Sequence, residues 1–179
     1  MLQDMLEAVA IAVVISTLLI VFVIQAFYIP SESMEPTLKV GDRILVNKFI
    51  YNFRKPKRQE IIVFNYPLDP QRKFVKRVIA TPGDQVKIEE GKVFVNGQRL
   101  EEEYVREDSY TDFSEVTVPA DNYFVLGDNR NNSKDSRYWG FVPAENIVGH
   151  PMIIFWPLSR IKIIGGEINV NSMVSRTYG

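Results

Sequence analysis

Ser33 stands in the run Pro30-Ser31-Glu32-Ser33-Met34-Glu35-Pro36-Thr37-Leu38, just after a long apolar stretch. About forty residues further on comes Lys73-Phe74-Val75-Lys76-Arg77-Val78-Ile79. A Ser hydroxyl is a weak nucleophile until a base takes its proton. The chain has one His, His150, followed at once by Pro151, and no Cys. Any Ser–His–Asp scheme must therefore use His150, whose plainer reading is a loop or strand-end residue. A Cys nucleophile, a disulfide and a thiolate zinc site are excluded. Lys is left as the natural base. An exposed Lys has a pKa near 10.4, and a base working near neutrality needs one of roughly 7–8. The difference is a preference for the neutral amine of about 4 kcal/mol. Burial against apolar side chains supplies it. Lys76 has Phe74, Val75, Val78 and Ile79 beside it, whereas Lys73 lies beside Gln71 and Arg72. The neighbourhood favours Lys76. Two surface lysines on a strand edge are the alternative.

A third polar cluster runs Gly127-Asp128-Asn129-Arg130-Asn131-Asn132-Ser133-Lys134-Asp135-Ser136-Arg137-Tyr138-Trp139-Gly140. A calcium loop is ruled against by spacing. Arg130 falls at the third ligand position, Ser133 replaces the turn Gly, and Trp139 stands where the last carboxylate belongs. An ordered polar loop fits better, with Ser133 able to orient a Lys amine and Asp135 able to pair with Arg137.

These residues need a scaffold, and after Pro30 the pattern is mostly β. Glu60-Ile61-Ile62-Val63-Phe64-Asn65-Tyr66 reads as a strand covered on both faces. Asn96-Gly97, inside Lys92-Val93-Phe94-Val95-Asn96-Gly97-Gln98-Arg99-Leu100, marks a type I′ hairpin. Strand signals also occur at residues 43–47, 74–79, 115–118, 122–126, 152–156 and 161–164. The acidic stretch Glu101-Glu102-Glu103 carries little apolar pattern and predicts an exposed excursion within residues 85–120. The run Arg54-Lys55-Pro56-Lys57-Arg58 predicts a solvated loop, with contact to anionic lipid head groups as its functional alternative. Trp156 stands between core packing and contact with a membrane surface, and Arg77 has no single reading.

Residues 8–27 contain no charge. As a helix they rise about 30 Å, the thickness of the hydrocarbon core. A cleaved targeting segment has a shorter apolar core and a small-x-small end, which Gln25-Ala26-Phe27-Tyr28-Ile29-Pro30 lacks. The expectation is a retained anchor. Asp4 and Glu7 precede it, while Lys39, Arg43, Lys48, Arg54, Lys55, Lys57 and Arg58 follow. The positive-inside tendency alone would put the large C-terminal part in the cytoplasm. Of 179 residues, 46% are hydrophobic and 24% charged, enough for a packed core and against disorder. A net charge of -1 gives no basic excess of the kind nucleic-acid binders show.

Ser31-x-Ser33-Met34-x-Pro36-Thr37-Leu38, then Lys76-Arg77-x-x-x-x-Pro82-Gly83-Asp84, then Gly127-Asp128-Asn129-Arg130-x-Asn132-Ser133-x-Asp135-Ser136-Arg137, in this order after an apolar span, resemble bacterial type I signal peptidase. The resemblance covers most of the chain, to about residue 149. It implies Ser33 as nucleophile and Lys76 as general base. The Ser31 hydroxyl and the Ser33 N–H would hold the oxyanion, with Ser133 positioning the Lys76 amine and Asp135 and Arg137 bracing the loop. Ile29, Met34, Leu38, Phe74 and Val75 would line shallow pockets for small residues of the substrate.

The fold implied is mostly β: a single transmembrane helix, then a signal-peptidase-like β-domain with a small β cap. The expected boundaries are a tail at 1–7, an anchor at 8–27, a catalytic β-domain at 28–84 and 121–164, a cap at 85–120 and a loose tail at 165–179. The implied activity is removal of signal peptides from exported precursors after Ala-x-Ala sites through an acyl-enzyme, with no metal or organic cofactor. Partners would be secretory precursors and membrane lipid, with no nucleic acid, for a monomer on the outer side of the bacterial cytoplasmic membrane. That side opposes the charge bias, and emergence of the substrates there favours it. Two rivals are weaker. A self-cleaving Ser–Lys regulator does not need the anchor, and a non-catalytic peptide-binding β-domain needs none of Ser33, Lys76 and Ser133.

Overall fold

The computed structural model describes residues 2–164, so the tail expected at 165–179 lies outside the described residues. In chain order the elements are α1 (Leu2–Val23), β1 (Ile24–Tyr28), β2 (Arg43–Asn47), β3 (Ile61–Tyr66), β4 (Asp69–Ala80), β5 (Gln85–Glu89), β6 (Lys92–Val95), β7 (Gln98–Arg99) and β8 (Phe113–Thr117). After them come β9 (Asn122–Leu126), α2 (Ser136–Trp139), β10 (Val142–Pro143), β11 (Ile147–Trp156) and β12 (Lys162–Ile163). Apart from α1, the architecture is mostly β.

The uncharged run at 8–27 is shared between a helix and a strand, which corrects the expected single span. The α-helix stops at Val23, and Ile24–Tyr28 pairs antiparallel with β2, Ile24 opposite Asn47 and Tyr28 opposite Arg43. Ile, Phe and Tyr suit a pleated surface, and the edge of β2 satisfies backbone groups that a continued helix would have bonded within itself. The helical part of the run, residues 8–23, rises only about 24 Å. Among the described residues no helix is long and apolar enough to cross a membrane.

The larger sheet has the order β1-β2-β11-β3-β4-β9-β10, with β12 on β11. Its centre is β3, where alternation sends side chains to opposite faces. Ile61 and Val63 enter a core with Met34, Leu38 and Ile44, while Ile62 and Phe64 enter another with Val78, Tyr123 and Val125. This is why the strand carries an unbroken apolar run. The second sheet, β7-β6-β5-β8, packs Val86, Ile88, Val93 and Val95 against Ile79, Phe124 and Leu126. Its hairpin turns at Asn96 and Gly97, both with positive φ (54° and 75°), as a type I′ turn requires.

Two strand pairings open the cleft. Residues 74–76 of β4 pair with β3 on one side, Phe74 opposite Phe64 and Lys76 opposite Ile62. On its other side β4 pairs with β9 from Arg77 onward. The edge before Arg77 faces the turn that carries Ser33.

Two loop expectations hold in part: Lys55, Lys57 and Arg58 are exposed, as are Glu101, Glu103, Arg106, Glu107 and Asp108. The basic run at 54–58 is tied into ion pairs, Arg54 with Glu60, Arg58 with Asp84 and Lys55 with Asp121. The acidic segment at 101–110 turns Glu102 and Tyr104 inward and buries Ser109. Glu102 and Ser109 find their partners, Arg130 and Arg137, far along the chain, which local composition does not reveal.

Candidate active site

Ser33 lies in a single 3₁₀ turn, Glu32–Met34, held by the Glu35 N–H on the Glu32 carbonyl at 3.0 Å. Met34 is buried beneath it and fixes the turn to the core. Lys76 reaches the same point from β4. Its Nζ is 2.7 Å from Ser33 Oγ and donates to the Val75 carbonyl at 3.0 Å. The Phe74 ring centre is 5.4 Å from that nitrogen. Lys76 is 4% exposed, and burial lowers its pKa to about 8, against the opposing pull of Asp135 and Asp128. Lys73 is exposed. Desolvation thus separates the two lysines as their sequence neighbours suggest.

Ser31 Oγ lies 3.3 Å from Ser33 Oγ. Asp135 is fully buried and takes hydrogen bonds from Arg137 at 2.8 and 2.9 Å, and its carboxylate also accepts the Gly127 N–H at 3.1 Å. The expected Asp135–Arg137 pair is therefore present.

Two expected positions differ. Ser133 Oγ is buried with no hydrogen-bond partner among the described residues, so the expected bond to Lys76 is not formed. The amine is instead engaged by Ser33 and by the Val75 carbonyl. Leu38 is fully buried in the core and does not line the cleft. The Leu38 N–H bonds the Met34 carbonyl at 2.9 Å, a turn that brings it into the core beneath the Ser33 loop. Ile29, Met34, Phe74 and Val75 do line the cleft, a space of about 480 Å³, and Phe27 and Val63 extend its apolar wall. His150 is elsewhere, with Nδ1 on the Ile61 carbonyl at 3.0 Å and its ring near Tyr51. Trp156, at the end of β11, is 49% exposed and not a core residue.

A second ionic pair adjoins the first and was not assigned from sequence. Arg77 points Nε and Nη2 at Asp128, at 2.8 and 2.6 Å, and Nη1 at the Gln59 carbonyl at 2.7 Å. Thr37, from the Ser33 turn, donates to the same carboxylate. Asp128 thereby ties β4 to the loop that carries Ser33. The Asn129 N–H reaches the Ser33 carbonyl at 3.1 Å. The motif Gly127-Asp128-Asn129-Arg130 carried the signal, but not its partner. Chemically, the arrangement is a hydroxyl and a dried amine in contact, beside an apolar cleft and a second hydroxyl.

A family model described as signal peptidase, peptidase S26, matches residues 2–156. A probable signal peptidase I-2 of Synechocystis sp. is 46% identical over 168 residues, covering 90% of this chain and 75% of that protein. A signal peptidase I of Leptolyngbya laminosa is 43% identical over 172 residues, covering 92% and 84%. The crystal structure of a signal peptidase I from Enterococcus faecalis V583 superposes with a TM-score of 0.50 at 36% identity, covering 54% of this chain and 97% of that one. With most of its length matched and its fold shared, the chain belongs to the signal peptidase family, peptidase S26.

Proposed function

We propose that this protein is a serine endopeptidase that removes signal peptides from exported precursors, with Ser33 as nucleophile and Lys76 as general base. One observation carries the assignment: a buried amine, its pKa lowered to about 8, lies 2.7 Å from the Ser33 hydroxyl oxygen. Neutral Lys76 takes the hydroxyl proton as Oγ attacks the scissile carbonyl carbon. The oxyanion accepts hydrogen bonds from the Ser31 hydroxyl and the Ser33 N–H; one such donor typically contributes about 3–4 kcal/mol. The Lys76 ammonium returns its proton to the departing amine, leaving an ester on Ser33. Lys76 then deprotonates a water that hydrolyses the ester and regenerates the hydroxyl. Ser133, a buried hydroxyl without a partner among the described residues, accepts a bond from the ammonium when it forms. Asp135 and Arg137 brace the loop that carries Ser133.

Ile29, Met34, Phe74 and Val75 wall the subsites, which accept small side chains and so favour Ala-x-Ala ends. Dyad and cleft come from one chain, so a monomer suffices. The residues at 85–120 form the cap beside the catalytic domain. Attachment to the bacterial cytoplasmic membrane is through α1, where Met5, Leu6, Val9, Ile11, Val13, Val14 and Ile15 are exposed, and the catalytic domain works on the outer side, where precursors emerge.

The test is cleavage in detergent of a precursor carrying an Ala-x-Ala site by the parent, Ser33→Ala and Lys76→Met. Cleavage is expected from the parent alone. A Lys76→Met variant that cuts as fast as the parent would falsify the base assignment.

A further inference from the structure

Between β7 and β8 the segment 101–110 forms neither helix nor strand. Its Glu102 carboxylate nevertheless accepts hydrogen bonds from both terminal nitrogens of Arg130, Nη1 at 2.9 Å. The pair is nearly out of water, with the Glu102 side chain 10% and the Arg130 side chain 1% exposed. Arg130 Nε donates to the Gly127 carbonyl at 3.1 Å. Gly127 is the point where the polar loop meets the dyad: a Cβ built there would stand 2.4 Å from the Ser33 carbonyl oxygen and 2.3 Å from Ser133 Oγ. Tyr104 repeats the pattern on the other ion pair. Its hydroxyl donates to Glu102 at 2.8 Å, and its ring centre lies 3.7 Å from the guanidinium carbon of Arg77, the residue that holds Asp128. Further along, Ser109 Oγ accepts from Arg137 at 3.1 Å, and Asn131 bonds the backbone of Asp108 and Tyr110.

We infer that segment 101–110 is a strap that positions the catalytic pair, with Glu102 a positioning residue acting through Arg130 on the Gly127 carbonyl. The inference rests on the Ser33–Lys76 reading above. A buried carboxylate is costly unless paired, and a two-pronged Arg–carboxylate fork fixes direction as well as distance. Glu102 and Tyr104 each end on a guanidinium, Arg130 or Arg77, that in turn holds the Gly127 carbonyl or the Asp128 carboxylate. No strap residue lines the cleft, so substrate binding is spared when the strap is altered. Displacing the nucleophile or its base by about 1 Å costs roughly a hundredfold in rate.

The experiment measures kcat and KM of the full chain on a precursor with an Ala-x-Ala site, at a temperature where circular dichroism shows each variant folded. Glu102→Gln and Arg130→Gln each lower kcat by about tenfold or more, with KM held within about threefold. Because the two act in series, the double variant is no slower than the slower single. Glu103→Gln, which removes a charge from the exposed neighbour, leaves kcat at the parent value. A folded Glu102→Gln with a lower melting temperature but unchanged kcat overturns the inference. So does a rise in KM at constant kcat, or multiplied losses in the double variant. If Glu102→Gln does not fold, Arg130→Lys carries the same test, since it keeps the charge but removes the two-pronged fork to Glu102 and the Nε bond to the Gly127 carbonyl. Ser33→Ala separates the two readings: activity persisting there refutes the dyad, whereas loss there with an unaffected Glu102→Gln refutes the strap alone.

Discussion

A lysine buried away from water costs stability at any pH where its amine still carries a proton. Burial lowers the Lys76 pKa from its ordinary 10.5 to about 8. In the proposed mechanism Lys76 must be neutral to act, so kcat is expected to climb about tenfold per pH unit below the folded pKa and to level off above it. A pH–rate profile checks this, and a flat rate from pH 6 to 9 would contradict it. The same shift sets a stability effect. Between the folded and the ordinary value the unfolded chain binds more protons, so stability rises with pH across that window. Below about 8 both states are protonated, and the folded state bears the whole penalty, about 3 kcal/mol. Lys76→Met removes it. At pH 7 that inactive variant is expected to melt higher than the parent, and the gap closes as pH approaches 10.5. Denaturant titrations at pH 7 and 10 read the difference, and equal gaps at both would contradict the assignment.

The Ser33–Lys76 contact is held where three elements meet: the 3₁₀ turn bearing Ser33, β4 bearing Lys76, and the loop after β9. Two contacts lock them, the Arg77–Asp128 pair and the close approach at Gly127. Breaking a buried ion pair by removing one partner costs about 3–5 kcal/mol, because the other charge stays buried. Arg77→Met leaves Asp128 in that state and is expected to lower the melting temperature by many degrees, as calorimetry would show. At Gly127 the obstacle is the Ser33 carbonyl, which is backbone and cannot swing aside. Gly127→Ala therefore shifts the turn itself. A stability loss of about 1–3 kcal/mol is expected, with a fall in kcat that exceeds any change in KM. Unchanged kcat in the Ala variant would show that the nucleophile turn tolerates the shift.

At the scale of the molecule, α1 stands apart from the β architecture. It is followed directly by β1, and the Val23 carbonyl accepts the Lys48 N–H at 2.9 Å. Its exposed apolar side chains add nothing to the three cores. Deleting residues 2–23 while keeping β1 is expected to leave the melting temperature within a few degrees of the parent. Co-sedimentation with lipid vesicles is expected to disappear. Loss of the cooperative transition would mean that α1 belongs to the folding unit, and vesicle binding that survives would place the membrane contact elsewhere.

Much of the site was legible along the chain because its signals are short-range. Phe74, Val75, Val78 and Ile79 announce the desolvation of Lys76, and Asp135 and Arg137 are close enough to pair within one turn. The apolar run of β3 and the Asn96-Gly97 turn encode their own geometry. What sequence could not supply is choice among distant partners. Glu102 looks like its solvated neighbours Glu101 and Glu103 until the packing of the strap brings it to Arg130, 28 positions away. Arg77 finds Asp128 across 51 positions, through the pairing of β4 with β9. The same limit explains the helix that stops at Val23: an apolar run suits a helix or a strand equally, and the free edge of β2 decided between them. Residue type sets what a side chain is able to do, and registration of remote strands sets which charge it meets in the absence of water.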